Sequence, residues 1–222
     1  TVGTGPIDTQ EGVATICDPS GNLLFFSDGL TAWDNTNTPM PQGNGLAGHW
    51  SSTQAAIIIP NPGNTDQFYI FTLESIDYFT NPGLSYSLVD MTLPGNGTVG
   101  SPLGDVVLAE KNIALATSVV EKLTAVRKCD GTGYWVVAHS IGNSNFLAFD
   151  VTSSGVNTSP IISSVGINHN ITGASNELNA VGYMKFSADG TKLALVYRDV
   201  DNLTTNGAGA YTYDFDNAMG TV

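Results

Sequence analysis

The chain has 222 residues, of which 41% are hydrophobic and only 12% charged, which suits one large domain or part of one. Seven basic against twenty acidic residues give a net charge of −13, a surface that repels phosphate backbones and anionic lipid heads and excludes them as partners. The longest aliphatic run, Ala55 to Ile59, is too short to span a bilayer, and no long stretch carries helical spacing of apolar residues.

In chain order, four segments follow one plan: an apolar strand, a turn with Asp or Asn and Gly, a second apolar strand, and a third that ends in Asp. The first copy runs from Gly12 through Cys17-Asp-Pro-Ser-Gly21, then Leu23 to Ser27, then Leu30-Thr-Ala-Trp-Asp34. The second is Ala55 to Ile59, the turn Pro60-Asn-Pro-Gly63, Gln67 to Thr72, and Leu84 to Asp90. The third is Leu123 to Val126, Cys129-Asp-Gly131, Tyr134 to Ala138, and Asn145 to Asp150. The fourth is Tyr183 to Ser187, Asp189-Gly190, Lys192 to Tyr197, and Ala210 to Asp214.

The turn glycines at 21, 63, 131 and 190 are spaced by 63−21=42, 131−63=68 and 190−131=59 residues. The shortest spacing is that of a propeller blade, and the longer ones hold Gly/Asn/Pro-rich insertions such as Pro94-Gly-Asn-Gly97. A small sheet that is apolar on both faces cannot cover itself, so such units stack face to face about an axis. The expectation is an all-β fold, a β-propeller with four recognisable blades at about 10–42, 52–93, 119–153 and 179–222. Thr1-Val-Gly reads as an outer strand of a preceding blade, and the chain as part of a larger ring. A closed four-bladed ring is the alternative.

The repeated Asp34, Asp90, Asp150 and Asp214 resemble the residue that closes the third strand of WD-type repeats, and their expected work is capping turns. Cys17 and Cys129 occupy equivalent positions two blades apart, beyond the ~7 Å reach of a disulfide. Two free thiols are expected, packed as small apolar side chains.

Residues just before the first strand of a blade face the channel mouth. Here these are Glu11, Gln54, Glu121 with Lys122, and Asn179, a polar ring suited to a glycan, a cation or a peptide loop, or else to satisfying backbone groups at the strand entrances. His49, beside Trp50 and Ser51, joins them as a candidate. A His-Ser pair suggests a hydrolase, but no G-x-S-x-G elbow is present. Asp199-Val-Asp201-Asn202 is a fragment of a calcium loop without its glycine or distal Glu, and it is the candidate site for Ca2+. His139 and His169 read as structural or exposed, and Trp33 and Trp135 as core. Asn96, Asn157, Asn170 and Asn202 begin N-x-Ser/Thr triplets.

Together Glu11-Gly-Val-Ala-Thr-Ile16, Gly45-Leu-Ala-Gly-His-Trp-Ser-Ser-Thr-Gln54, Tyr134-Trp-Val-Val-Ala-His139 and Gly182-Tyr-Met-Lys-Phe-Ser-Ala-Asp-Gly190 resemble the amino-terminal propeller region of Bacteroidetes cell-surface proteins. Those proteins end in a gliding-motility-associated, type IX secretion sorting domain. The resemblance implies export, a place at the cell surface or outside the cell, and further domains in a longer parent chain. It supplies no catalytic residues. The functional expectation is a non-catalytic binding or adhesion module with a glycan or protein partner; a glycan-active propeller hydrolase or lyase, or a spacer without a ligand, are the alternatives.

Overall fold

The computed structural model describes residues 5–77, 82–169, 179–198 and 208–222. It is all-β and a β-propeller, whose described strands form four separate antiparallel sheets, each a blade. Blade 1 comprises β1 (Ala14–Cys17), β2 (Leu23–Ser27), β3 (Thr31–Asp34) and β4 (Pro39–Asn44), paired in that order. Blade 2 comprises β5 (Ala56–Asn61), β6 (Asn64–Leu73), β7 (Leu84–Asp90), β8 (Asp105–Val106) and β9 (Ile113–Ala116), with β8 and β9 both on the outer edge of β7. Blade 3 repeats this arrangement with β10 (Val119–Arg127), β11 (Tyr134–Ser140), β12 (Asn145–Thr152), β13 (Gly155–Val156) and β14 (Ile161–Ser164). Blade 4 contains β15 (Met184–Phe186), β16 (Lys192–Arg198) and β17 (Ala208–Asp214). The three-strand repeat read from sequence is the inner part of each blade. The structure adds the outer strands 39–44, 105–116 and 155–164, which are too short or too irregular to signal themselves.

Period-two alternation decides which face of a strand meets which neighbour. On β6, Phe68 and Ile70 pack with Phe25, Ala32 and Met40 of blade 1, while Tyr69, Phe71 and Leu73 turn to Leu123, Val136 and Phe149 of blade 3. On β11, Val136 and Ala138 face blade 2, while Trp135 and Val137 face Met184, Leu193 and Leu195 of blade 4. Three large interblade cores result, and a smaller one gathers Ile76, Val120 and Ala180. Each buried Leu, Ile, Val or Phe contributes roughly 1.5–3 kcal/mol, so these cores hold successive blades together.

The first turns behave as their sequences demand. Gly21, Gly131 and Gly190 hold φ of 85°, 75° and 69°, the left-handed region in which a side chain is strained. Each is preceded by an Asp that folds the turn about itself. Asp18 accepts the Ser20 and Asn22 amides, Asp130 the amide and hydroxyl of Thr132, and Asp189 those of Thr191. The strand-closing aspartates divide into two kinds. Asp34 and Asp90 accept the amide and hydroxyl of the threonine two residues on, whereas Asp150 pairs with Lys128 at 3.0 Å and Asp214 with Lys192.

Cys17 and Cys129 are free, but both are exposed rather than packed inside. The reason lies at the strand ends. Cys17 sits at a register shift beyond Ile16, and Cys129 lies past the end of β10 in the turn itself.

Candidate binding site at the axial end of the inner strands

Strands β1, β5, β10 and β15 open their blades, and the residues before their first positions or, in β10, within its first four meet near the axis. Their polar groups are largely spent on one another. Glu121 is fully buried; one carboxylate oxygen accepts the Thr53 amide (2.8 Å) and hydroxyl (2.9 Å), and the other accepts the Ile76 amide (2.8 Å). Lys122, also fully buried, points the opposite way and donates to the carbonyls of Asn179, Ala180 and Val181 at 2.8–2.9 Å. Successive residues on a strand face opposite sides, so this one dipeptide fastens blade 3 to blade 2 with its acid and to blade 4 with its base. Burial pushes the Lys122 ammonium down to about 7, with Glu121 opposing.

Gln54 makes a third fastening. Its side-chain carbonyl accepts the Leu123 amide (3.0 Å) and the Met184 amide (2.9 Å), tying blade 2 to the inner strands of both blades 3 and 4. Asn179 contributes its backbone, since its carbonyl takes both the Lys122 ammonium and the His169 ring nitrogen. Of the two readings of this polar ring, a ligand site or the satisfying of backbone groups at strand entrances, the second describes Glu121, Lys122 and Gln54, and the ligand reading of Glu121 and Lys122 is corrected. Glu121 and Lys122 satisfy backbone groups inside the protein and are not presented to a ligand.

Glu11 is different. It is exposed and lines a cleft of about 290 Å3 with Thr53, Gln54, Tyr183 and Lys185, between the entrance of blade 1 and the open face of blade 4. Partial burial holds the Glu11 carboxyl above the usual carboxylate range; the Thr53 hydroxyl opposes this, and the charges of Glu121 and Asp77 add to it. Tyr183 is 55% exposed at the same cleft. Sequence reasoning missed Tyr183 and Lys185, because residues on a strand facing a cleft look like residues on any solvated sheet face. A carboxyl, an ammonium and an open aromatic ring converge here, over the Gln54 amide that is committed to the backbone of β10 and β15.

His49 lies outside this cleft. Its Nδ1 accepts the backbone amide of Ser51 at 3.2 Å, while the Ser51 hydroxyl donates to Asp77 at 3.1 Å, so the imidazole is not aligned to take the hydroxyl's proton. Its ring packs against Trp50 with centroids 5.1 Å apart. His139 and His169 are wholly buried edge-to-face partners, each with Nδ1 on a backbone carbonyl. Burial pushes His139 down to about 4 and His169 to about 2, so both imidazoles are neutral. Trp33 and Trp135 are core residues; Trp33 stacks on Phe26 and the Trp135 indole donates to the Asn217 carbonyl. The calcium candidates Asp199 and Asp201 lie outside the described residues. Among the described residues no group of three or more His, Cys, Asp or Glu side chains is placed to hold a metal ion.

No family model and no curated protein matches the chain. Among solved structures it is similar to an endo-1,5-α-L-arabinanase from Thermotoga petrophila, with a TM-score of 0.33, 15% identity, and coverage of 96% of this chain and 67% of that one.

Proposed function

We propose that this propeller is a carbohydrate-binding module, and that the sugar enters the axial cleft between the entrance of blade 1 and the face of blade 4. The observation that carries this reading is the open Tyr183 ring beside Glu11, Gln54 and Lys185. An aromatic face packs on the apolar side of a sugar ring, and the flanking Glu11 and Lys185 charges bond its hydroxyls. A non-catalytic role is favoured because the buried acid, Glu121, has both oxygens filled and its neighbour Lys122 is tied to three carbonyls. The setting we propose is outside the cell, in a longer surface protein, supported by the sequence resemblance.

The raised Glu11 carboxyl favours the second reading, a glycan-cleaving enzyme, since partial burial that favours the protonated form suits a general acid. A glycan array probed with and without calcium, followed by end-product analysis on the hits, separates the two. The module predicts saturable binding without new reducing ends, weakened at least tenfold by Tyr183→Ala. Product release that vanishes in Glu11→Gln establishes the enzyme. No binding to any glycan removes both.

A further inference from the structure

A larger cavity lies at the opposite end of the inner strands. Where the axial cleft sits at the start of β1 and β5, this groove sits at their far ends, between the turn after β1 and the turn after β5. Its volume is about 680 Å3, inside the roughly 300–1,000 Å3 range of small-molecule sites.

The groove is open for a structural reason. The turn Asn61-Pro62-Gly63 leans away from blade 1 onto blade 3, so closely that a Cβ on Gly63 would lie 2.6 Å from the Ser153 carbonyl oxygen. Blade 1 keeps its own turn upright through Asp18, whose carboxylate is filled by the Ser20 and Asn22 amides and the Asn22 side chain. Two turns held apart by their own bonds leave the apolar wall between them uncovered. Ile16 and Leu24 form one side, Pro60 and Met91 the other, and the floor is Phe68, whose ring stands edge-on to Phe25 at 5.6 Å.

The charge at this groove has one sign. Asp18 and the exposed Asp66 stand at the rim, and among the described residues no lysine, arginine or histidine lines it. Hydrogen bonds from Asn22, with those of its turn, hold the Asp18 carboxyl below the usual range, so its charge is permanent near neutrality. Asn61 has its side chain committed to Gly63 and Gln67, which leaves few groups for a ligand rich in hydroxyls.

We propose that this groove is a second binding site, for a small organic cation with an apolar body, such as an aryl- or alkylammonium compound. The body replaces water along the Ile16, Leu24, Pro60 and Met91 walls. The charge sits between Asp18 and Asp66. Sugars lack the apolar surface to fill it, and carboxylates or phosphates meet like charge.

Cys17 lines the groove and Cys129 does not, which provides a local reporter. The experiment uses Cys129→Ser protein, phenylbutyltrimethylammonium as probe, and phenylbutylsulfonate and phenylbutanol as anionic and neutral counterparts. Exposed charges discriminate modestly and are screened by salt. We expect saturable binding of the cation, about tenfold tighter than the sulfonate at low ionic strength, with the gap closing at high salt. Asp66→Asn should weaken the cation about threefold to fivefold and leave the alcohol unchanged. The cation should protect Cys17 from N-phenylmaleimide, and prior alkylation of Cys17 should abolish binding. Equal affinity for cation and sulfonate, binding that survives Cys17 alkylation, or no saturable binding overturns the proposal.

Discussion

Strands β11 and β16 hold the same place in blades 3 and 4 but live in different surroundings. In β11 the five residues Trp135 to His139 are all buried, because blade 2 covers one face and blade 4 the other. In β16 the pattern alternates: Leu193 and Leu195 are buried against blade 3, while Lys192, Ala194 and Val196 are exposed. Two copies of one repeat thus differ by whether, among the described residues, a neighbour lies on the second face. An unbroken run such as Trp-Val-Val-Ala needs two neighbours, whereas Lys-Leu-Ala-Leu-Val needs only one.

The largest effect should come from the doubly covered side. Phe149, fully buried between blades 2 and 3, leaves a cavity when truncated, and Phe149→Ala should lower the unfolding free energy by ~3–5 kcal/mol. Urea denaturation at neutral pH measures this. A loss under ~1 kcal/mol would mean that the core between blades 2 and 3 can collapse around the gap, which contradicts its packing.

The second effect is electrostatic and also resides in blade 3. His139 and His169 are held neutral, mainly by burial, with pKa values of about 4 and 2 in the fold against about 6.5 when unfolded. Between pH 6.5 and 4 the unfolded chain takes up protons that the folded chain refuses, so stability is full above pH 6.5 and falls as pH drops. At about 1.36 kcal/mol per unit, His139 alone costs on the order of 3 kcal/mol by pH 4. The double variant His139→Phe, His169→Phe should flatten the slope of stability against pH in this window. An unchanged slope would place the titration elsewhere. Blade 4 has no matching histidine on its exposed face, so the pH response belongs to the covered side.

How far the sequence spoke depended on the same difference. Asp18, Asp130 and Asp189 were legible as turn residues because an Asx turn is a local device, complete within four residues. The propeller itself was legible because a strand's pattern repeats. Satisfying backbone groups was one of two readings of Glu121 and Lys122, but which groups they would reach was not legible. Their partners Thr53, Ile76 and Asn179 to Val181 lie in other blades, far along the chain, and nothing in a Glu-Lys dipeptide states that each will be buried. Asn217 was missed altogether. Its side chain takes the Cys129 amide and donates to the Arg127 carbonyl, locking the first turn of blade 3 to the tail after blade 4, and an asparagine in a tail carries no mark of this. Cys129, read as buried, is exposed in the turn that Asn217 holds. What was lost was interblade chemistry; what was kept was local.

Within blade 4 the comparison can be narrowed to adjacent residues. Leu195 is fully buried on the face toward blade 3, and Leu195→Ala should cost ~2–3 kcal/mol by the same cavity argument. Its neighbour Val196 is 41% exposed on the other face, opposite Ala210 across the β16–β17 pair. Val196→Thr keeps the branched Cβ that a pleated strand favours and gives up only a methyl already half in water, so it should change stability by less than ~0.5 kcal/mol. A loss at Val196 as large as that at Leu195 would show that something packs on this face in solution. The face would then be an interface, and the alternation in Lys192 to Val196 would have to be explained by a partner that tolerates its lysine and alanine.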